Sequence, residues 1–523
     1  MKVVEVSYTW PAETFIQRHV LALREAGADV MLVGRAGVDA GRAGASIGDA
    51  DCRIPALVMP NFDHLDLTGK VWSLRHLLAR PRWAMEARPL RDRVLLAFFE
   101  RLKPDLIHFH TASLAAFMRW VPQALGIPYT VSLRGSDVQV MPLRSERAAQ
   151  ETGAALREAA GVHAISWHLV ACARRWAGPQ VRIQVIYNPI PLPPLLPPFR
   201  PGLGQSLHLI TVGRLHWTKC YGDLLQASAE LARQGIETRV TFVGSGPEES
   251  RLRYWVEKLE LADRVTFLGK TTFQQVSSLL SDASAYVHPS MSEGFGNAIA
   301  EAMAWGCPVF ITDACGAREV IEDGKSGFLL PALQPETWPE RLLLARDRAL
   351  MERVRQAAYE TARRLFDRRR HAEDFLAFYE RAVRRGPNLI ARESKSPSHG
   401  EQPRGEGPLL LVRGAWRWEN GADLVLRALA PLCREGQVQV VFMGQGPQED
   451  ELRYLADFLG LGGQVRFIVD GQADDLGGEL SMVLDIADAQ EQGWRLTWEG
   501  TLVANVPFAE VGHLSALVED LPR

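Results

Sequence analysis

Cysteine is scarce: six occur in 523 residues, at positions 52, 172, 220, 307, 315 and 433, with no CxxC and no metal-ligand spacing. A chain this long buries a large core without cross-links, so the pattern reads as reduced thiols, not a disulfide framework. Long apolar runs are missing too. Nothing approaches the roughly 18 residues of a membrane-spanning helix, and the start MKVVEVSYTWPAETF lacks the apolar centre of a signal peptide. Charge of one sign is not in excess: 59 Lys+Arg face 62 Asp+Glu, a net charge of -3. Attraction of the whole chain to nucleic acid is therefore not expected. These absences leave a cytoplasmic protein as the expectation. At 47% hydrophobic and 23% charged, the composition is that of folded globular domains, and the length suggests three or four of them.

What is present is alternation. Val3–Tyr8, Asp29–Val33, Asp105–His110, Tyr129–Arg134, Gly161–Ser166 and Arg182–Asn188 read as strands, and Glu13–Ala26 and Ser113–Leu125 between them have helical apolar spacing. Strand–helix alternation implies parallel sheets covered on both faces. Seven prolines between Pro189 and Pro201 forbid helix or central strand and mark a linker, 189–206. Alternation resumes with His208–Arg214, Arg239–Gly244, Val265–Gly269, Ala285–Pro289 and Pro308–Thr312, and helical segments from Glu336 to Arg385 close the unit. A polar Pro/Gly/Ser stretch, 386–408, reads as a flexible linker. The sequence then repeats: VTFVGSGPEESRLRY (240–254) returns as VVFMGQGPQEDELRY (440–454), and HWTKCYGDLLQA (216–227) as RWENGADLVLRA (417–428). The organisation expected is an α/β domain over 1–188, a second over 207–385, and a partial copy of the second over 409–523.

Three motifs carry chemistry. In SEGFGNAIAE (292–301), Glu293 and Glu301 bracket a Gly294-Phe295-Gly296-Asn297 turn into a helix. Glycines allow close backbone approach, and the helix start offers N–H groups to phosphate or sugar oxygens. The plain alternative is a turn before an amphipathic helix. In VGRLHWTK (212–219), Gly213 ends a strand and Arg214 and Lys219 can converge on one anion, a fork and a point charge suited to a diphosphate. Two solvated loop charges is the alternative. Gly244 and Gly246 in GSGP lack the third glycine of a dinucleotide fingerprint, and either admit a nucleotide or make a tight turn.

Together these elements resemble the GT-B glycosyltransferases of the retaining family 4, polysaccharide-assembling type. The chain has that family's R-x4-K pair, its GxGP turn and its E-x7-E segment, and CGAREVIEDGKSGFLL resembles the stretch that follows. AETFIQRHVLALREAGADV and KPDLIHFH…GIPYTVSLRGSDV resemble the acceptor-side domain, so the likeness covers about residues 1–385. It implies two facing Rossmann-like domains, the second holding a nucleotide-diphosphate sugar. Arg214 and Lys219 would neutralise the departing pyrophosphate. Glu293 and backbone from Gly294 to Asn297 would hold sugar hydroxyls, and Glu301 the ribose. No metal or other cofactor is implied. The activity implied is retaining transfer of a sugar to a saccharide or lipid-linked acceptor in cell-surface polysaccharide synthesis.

Two departures stand out. Arg134-Gly-Ser-Asp137 replaces the family's HGxD, so Arg134 either holds a phosphate or acidic acceptor or makes a structural ion pair with Asp137. Cys220 replaces a glycine after Lys219. His110, with Arg134 and Asp137, is an acceptor-side candidate; as a strand-end histidine it can equally be packing. Between Gly69 and Lys103, nine Lys/Arg outnumber three acids and interleave with Trp72, Leu74, Leu77, Leu78, Trp83 and Leu95. This pattern suits peripheral contact with an anionic membrane at the inner face of the plasma membrane, or a solvated basic helix. In the copy, Ala415 and Asn420 fall opposite Arg214 and Lys219, while Glu491 and Glu499 keep the acid interval. These departures leave a non-catalytic sugar-nucleotide-binding scaffold as the alternative reading; a nicotinamide oxidoreductase suffers from the missing glycine.

Overall fold

The structure is a computed structural model. It describes residues 1–10, 12–36, 56–59, 89–200, 206–314, 316–387, 408–469, 480–486, 494–498 and 501–506, with 514 and 518. Two compact units divide the chain: Met1–Pro142 with Arg147–Ser396, and Leu143–Glu146 with Pro397–Arg523.

The larger unit contains two sheets. In the first, β1 (Lys2–Trp10), β2 (Asp29–Ala36), β3 (Ala56–Met59), β4 (Leu106–Phe109), β5 (Tyr129–Leu133), β6 (Gly161–Ala164) and β7 (Ile183–Val185) lie in the order β3-β2-β1-β4-β5-β6-β7. Every pairing is parallel. Val3, Val4, Val6 and all of β4 are buried, as strands covered on both faces must be. The helix Thr14–Glu25 buries Ile16, His19, Val20 and Leu23, one stripe at helical spacing. In the second sheet, β8 (Leu207–Val212), β9 (Thr238–Val243), β10 (Val265–Phe267), β11 (Ala285–His288), β12 (Val309–Thr312) and β13 (Phe328–Leu330) lie in the order β10-β9-β8-β11-β12-β13, again all parallel. In each sheet the order reverses once, at β1/β4 and at β8/β11, and ligands of open α/β sheets sit beyond the strand ends at such points.

Several expectations need correction. The helical stretch from Glu336 breaks at Asp347 and Asp367, whose carboxylates cap the next helices by accepting from Leu350 N and Arg370 N, each at 2.9 Å. The last of these helices, Arg368–Arg385, does not close the second sheet. Its Ala372, Phe375, Phe378, Tyr379 and Ala382 are buried in the core of the first sheet with Val3, Ile16, Leu32 and Leu106. Residues 368–385 therefore pack outside the domain expected to run to 385. The stretch Ser113–Leu125 splits at Arg119 into Ala112–Met118 and Trp120–Leu125. The proline-rich stretch is strapped down: Ile190 N donates to Phe366 O (3.2 Å), Tyr359 OH to Pro193 O (2.9 Å), and Phe199 joins the core of the second sheet.

The basic segment is described only from Pro89 onward. There the helix Leu90–Leu102 buries Val94, Leu95, Leu96, Phe98, Phe99 and Leu102, so its apolar face is turned into the protein. Trp72, Leu74, Leu77, Leu78 and Trp83 lie outside the described residues. Among the described residues, no helix is long and apolar enough to cross a membrane.

The smaller unit has a third sheet, with β14 (Leu409–Arg413), β15 (Gln439–Met443), β16 (Val465–Ile468), β17 (Leu480–Asp485), β18 (Trp494–Trp498) and β19 (Thr501–Val506) in the order β16-β15-β14-β17-β18-β19. Its first four positions are parallel in the arrangement of β10-β9-β8-β11, but the β17–β18 and β18–β19 pairings are antiparallel. Glu491 and Glu499 lie outside the described residues.

Candidate active site

On the second sheet the loop after β8 and the loop after β11 meet at the switch point. Lys219 Nζ forms an ion pair with Glu293 Oε2, and His288 Nε2 lies 3.2 Å from the same oxygen. Thr218 O ties the loops together, accepting from Ser290 Oγ (2.7 Å) and Met291 N (3.2 Å). His288 is pushed well below the usual imidazole range by its burial and by the neighbouring Lys219 ammonium. Gly296, at φ 94°, turns the chain into the helix Asn297–Ala304, a conformation in which a side chain would be strained. About one turn on, Glu301 Oε1 accepts from Arg18 Nη1 of the first domain at 2.7 Å.

The first domain meets this loop directly. A side chain on Gly294 would collide with the carbonyl of Arg134, Ser166 Oγ donates to Gly294 O, and Asn188 Nδ2 donates to Asn297 Oδ1 at 2.9 Å. Glu319 caps the helix Trp167–Ala177 from across the cleft, accepting from Trp167 N (2.8 Å) and from Tyr187 OH (2.7 Å). Burial raises the Glu319 pKa, against the pull of these donors.

At the switch point of the first sheet lies a buried polar cluster: Glu5 on β1, His108 and His110 at β4, His19, His371 and Tyr379 on the two helices above, and His163 on β6. Backbone carbonyls fix its tautomers. His371 Nδ1 donates to Tyr187 O (2.8 Å), so its Nε2 accepts from His19 Nδ1 (2.8 Å). His163 Nε2 donates to Ile186 O (2.8 Å), so its Nδ1 accepts from Ser132 Oγ, which accepts from His108 Nε2. Arg134 can only donate, so His110 Nδ1 accepts from Arg134 Nη2 (3.1 Å) and its proton faces Glu5 Oε2, 2.6 Å away. His19 is left donating from both nitrogens, the second to Glu5 Oε1 at 3.1 Å, and Tyr379 OH donates to that oxygen at 2.8 Å. Burial would raise Glu5, but His19 and His110 outweigh it and hold the carboxyl well below its ordinary range. Glu5, His19, His108 and His110 bring one ligand atom each within 4.8 Å of one another, but the ring nitrogens are already committed within the protein.

The glycosyl transferases group 1 family model matches residues 202–361 and 395–487, and the glycosyl transferase 4-like domain model matches residues 12–189. The chain belongs to the family 4 GT-B glycosyltransferases. Among its relatives, the putative colanic acid biosynthesis glycosyltransferase WcaL of Salmonella typhimurium is 35% identical over 145 residues, 27% of this chain and 36% of that protein. The N-acetyl-alpha-D-glucosaminyl L-malate synthase of Bacillus anthracis is 28% identical over 282 residues, 50% of this chain and 72% of that one. The chain spans about a third of the length of the first curated relatives it matches, at 36%, 35% and 35%. Sucrose-phosphate synthase of Thermosynechococcus elongatus superposes with a TM-score of 0.58 at 19% identity, covering 73% of this chain and 98% of that one. HepE of Anabaena, solved with UDP and glucose, superposes at 0.57 with 20% identity, covering 73% and 99%. Likeness at that identity speaks to the fold.

The residues singled out from sequence have different fates. Lys219 and Glu293 meet, Asn297 and Glu301 follow on one helix, and Arg214 is exposed in the same loop after β8 as Lys219. Phe295 points inward: its ring is buried, 5.3 Å from Tyr187 and 5.4 Å from Phe366, so only its backbone is available to a donor. Gly244 and Gly246 are needed because side chains there would strike the carbonyls of Gly213 and Leu215, and a side chain on Gly213 would crowd Tyr221 OH. Asp137 does not pair with the Arg134 guanidinium. Its carboxylate accepts from the backbone N–H of Ala112, Arg134 and Gly135, while Arg134 Nη1 donates to Asn188 Oδ1 (3.0 Å) and stacks over Phe15. His110 is buried in the Glu5 cluster. Arg18, Asn188, His288 and Glu319 were not found from sequence; each acts on a partner far away or outside a spaced motif.

His108, His163, His288 and His371 are depressed well below the usual imidazole range by burial, and His110 to about 4, burial outweighing the pull of Glu5. An imidazole with a lowered folded pKa is protonated first in the unfolded chain. Stability should therefore fall as pH drops from about 6.5 toward 4, by roughly 1.4 kcal/mol per pH unit for each such group. Thermal unfolding between pH 7.5 and 5 measures this, and a flat midpoint would contradict the neutral buried rings.

Proposed function

We propose that this protein is a retaining hexosyltransferase. It moves a sugar from a nucleotide-diphosphate donor to a saccharide or lipid-linked acceptor in cell-surface polysaccharide synthesis. The observation that carries the reading is the contact of Lys219 with Glu293 at the β8/β11 switch point, where a diphosphate cation and a sugar-binding acid share one spot. On donor binding Glu293 turns to sugar hydroxyls, and Lys219 and Arg214 take the diphosphate. The N–H groups opening Asn297–Ala304 add the positive end of a helix dipole. Fixed positive groups aimed where charge develops favour departure of the diphosphate without demanding a metal. The acceptor attacks from the leaving-group side, and a phosphate oxygen takes its proton. The placement of the loops after β5 and β6 of the first domain against Gly294 supports an acceptor approaching from that side, with Arg134 near it. UDP bound to HepE and curated relatives in polysaccharide assembly support the donor and acceptor classes. With a panel of UDP-, GDP- and ADP-sugars, Glu293→Gln and Lys219→Ala should each lower turnover by about a hundredfold or more with little change in melting temperature. Equal loss of stability and activity would assign these residues a structural role.

The segment Gly69–Lys103 is proposed to meet anionic lipid. Since Leu90–Leu102 hides its apolar face, the contact rests on the residues before it and on exposed Arg91. Sedimentation with anionic but not neutral liposomes, lost on charge reversal at Arg80, Arg82 and Arg91, is the expected result; no lipid-dependent pelleting sinks the idea.

Residues 409–523 are proposed to be a degenerate copy of the donor-side domain with a scaffolding or regulatory role. The position opposite Lys219 is Asn420, whose side chain donates to Ala415 O (2.9 Å), and Arg413 pairs with Asp485 (2.8 Å). Removing 409–523 should leave donor binding intact; loss of binding in a still-folded chain would refute the assignment.

A further inference from the structure

Both acids of the E-x7-E segment are paired with a cation. Glu293 holds Lys219, from its own domain. Glu301 holds Arg18, which reaches across from the helix Thr14–Glu25 of the acceptor-side domain, Nη1 to Oε1 at 2.7 Å, with side chains 22% and 14% exposed. The Arg18 guanidinium also lies 5.5 Å from the centre of the Phe273 ring, at the start of the helix Phe273–Asp282. It thus covers the patch between Glu301 and Phe273, where the nucleoside of a donor held by Glu301 would lie.

We infer that Arg18 is a third cation of the diphosphate site, stored on Glu301 until a donor arrives. The inference rests on the reading of Glu301 as the acid that accepts the ribose hydroxyls. A ribose that takes Glu301 displaces the guanidinium from Oε1. An arginine cannot shed its charge, so the displaced group needs another anion in a half-buried cleft. The donor carries one: its diphosphate begins one carbon beyond the ribose ring, within the sweep of an arginine side chain. Planar guanidinium and phosphate oxygens match as a bidentate pair. The exchange keeps charge balanced at every stage, and because Arg18 belongs to the acceptor-side domain, the clamp is complete only when both domains contribute.

A nucleoside alone must break the Arg18–Glu301 pair and offers nothing in return, whereas a nucleoside diphosphate restores a partner. Arg18 is therefore what separates the two affinities, a readout that a merely structural residue would not move. Titration calorimetry of the full chain with uridine, UDP, guanosine, GDP, adenosine and ADP tests this on wild type, Arg18→Gln and Arg18→Lys. For the base that binds, Arg18→Gln should hold the nucleoside as tightly as wild type or more so, and the diphosphate about tenfold more weakly. Arg18→Lys should lie between, and serves alone if the glutamine variant fails to fold. Equal weakening of both ligands, or unchanged diphosphate affinity, overturns the inference and leaves the donor site standing. Wild type that binds none of the six overturns the reading of Glu301 and the inference with it.

Discussion

A carboxylate in a cleft cannot be left without a counter-charge, and this constraint organises the site. Glu293 and Glu301 flank the start of one short helix, and each is met by a cation from a different element, Lys219 and Arg18. In a half-buried setting an ion pair gains little net stability over well-packed apolar groups, while a lone charge there is costly. The pairs are therefore poor reasons for the fold to exist but strong constraints on what can enter. A ligand that takes a carboxylate through hydroxyls must also satisfy the cation it displaces. A sugar joined to a diphosphate does both in one molecule, and neither a sugar nor a nucleoside does so alone.

The same constraint, deeper, shapes the first domain. Glu5 is fully buried, and its oxygens face Tyr379, His19 and His110. Because terminal rings donate to backbone carbonyls, the protons of the cluster are ordered by the main chain, which makes one arrangement far better than its alternatives. From His110 the order passes to Arg134, Asn188 and Asn297, the first residue of the donor-side helix. Arg134, the departure from the family's usual histidine, is thus pinned by His110, Asn188 and the face of Phe15. Its burial lowers the guanidinium to about 10, which still leaves it charged at neutral pH.

The strands were legible because β-branched runs bounded by turn residues repeat along the chain, and the donor loops because their spacing is local. What the sequence hid is long-range. Arg18 and Glu301 are 283 positions apart, and nothing in either neighbourhood names the other. Arg368–Arg385 reads as one more amphipathic helix; periodicity tells that an apolar stripe exists, not which sheet it covers. Asp137 resembled an ion-pair partner by proximity, yet the backbone N–H groups around it claimed its oxygens first. Short strands such as Ala56–Met59 and Phe328–Leu330 carry too few residues for a period to declare itself.

The smaller unit supplies a comparison within one chain that separates architecture from chemistry. Its loop after β14 keeps the packing seen after β8. A side chain on Gly444 would strike Gly414 O as one on Gly244 would strike Gly213 O, and Gly446 faces Trp416 O as Gly246 faces Leu215 O. The hydrogen bonds match as well: Leu215 N donates to Ser245 O at 3.1 Å and Trp416 N to Gln445 O at 3.0 Å. Yet the lysine position has become Asn420, folded back on its own loop, and the arginine position Ala415. Glycines that persist where the cations are gone are explained by two loops needing to touch. GxG in this chain is therefore a packing device, and the proposed diphosphate contact is carried by Arg214, Lys219 and what faces them.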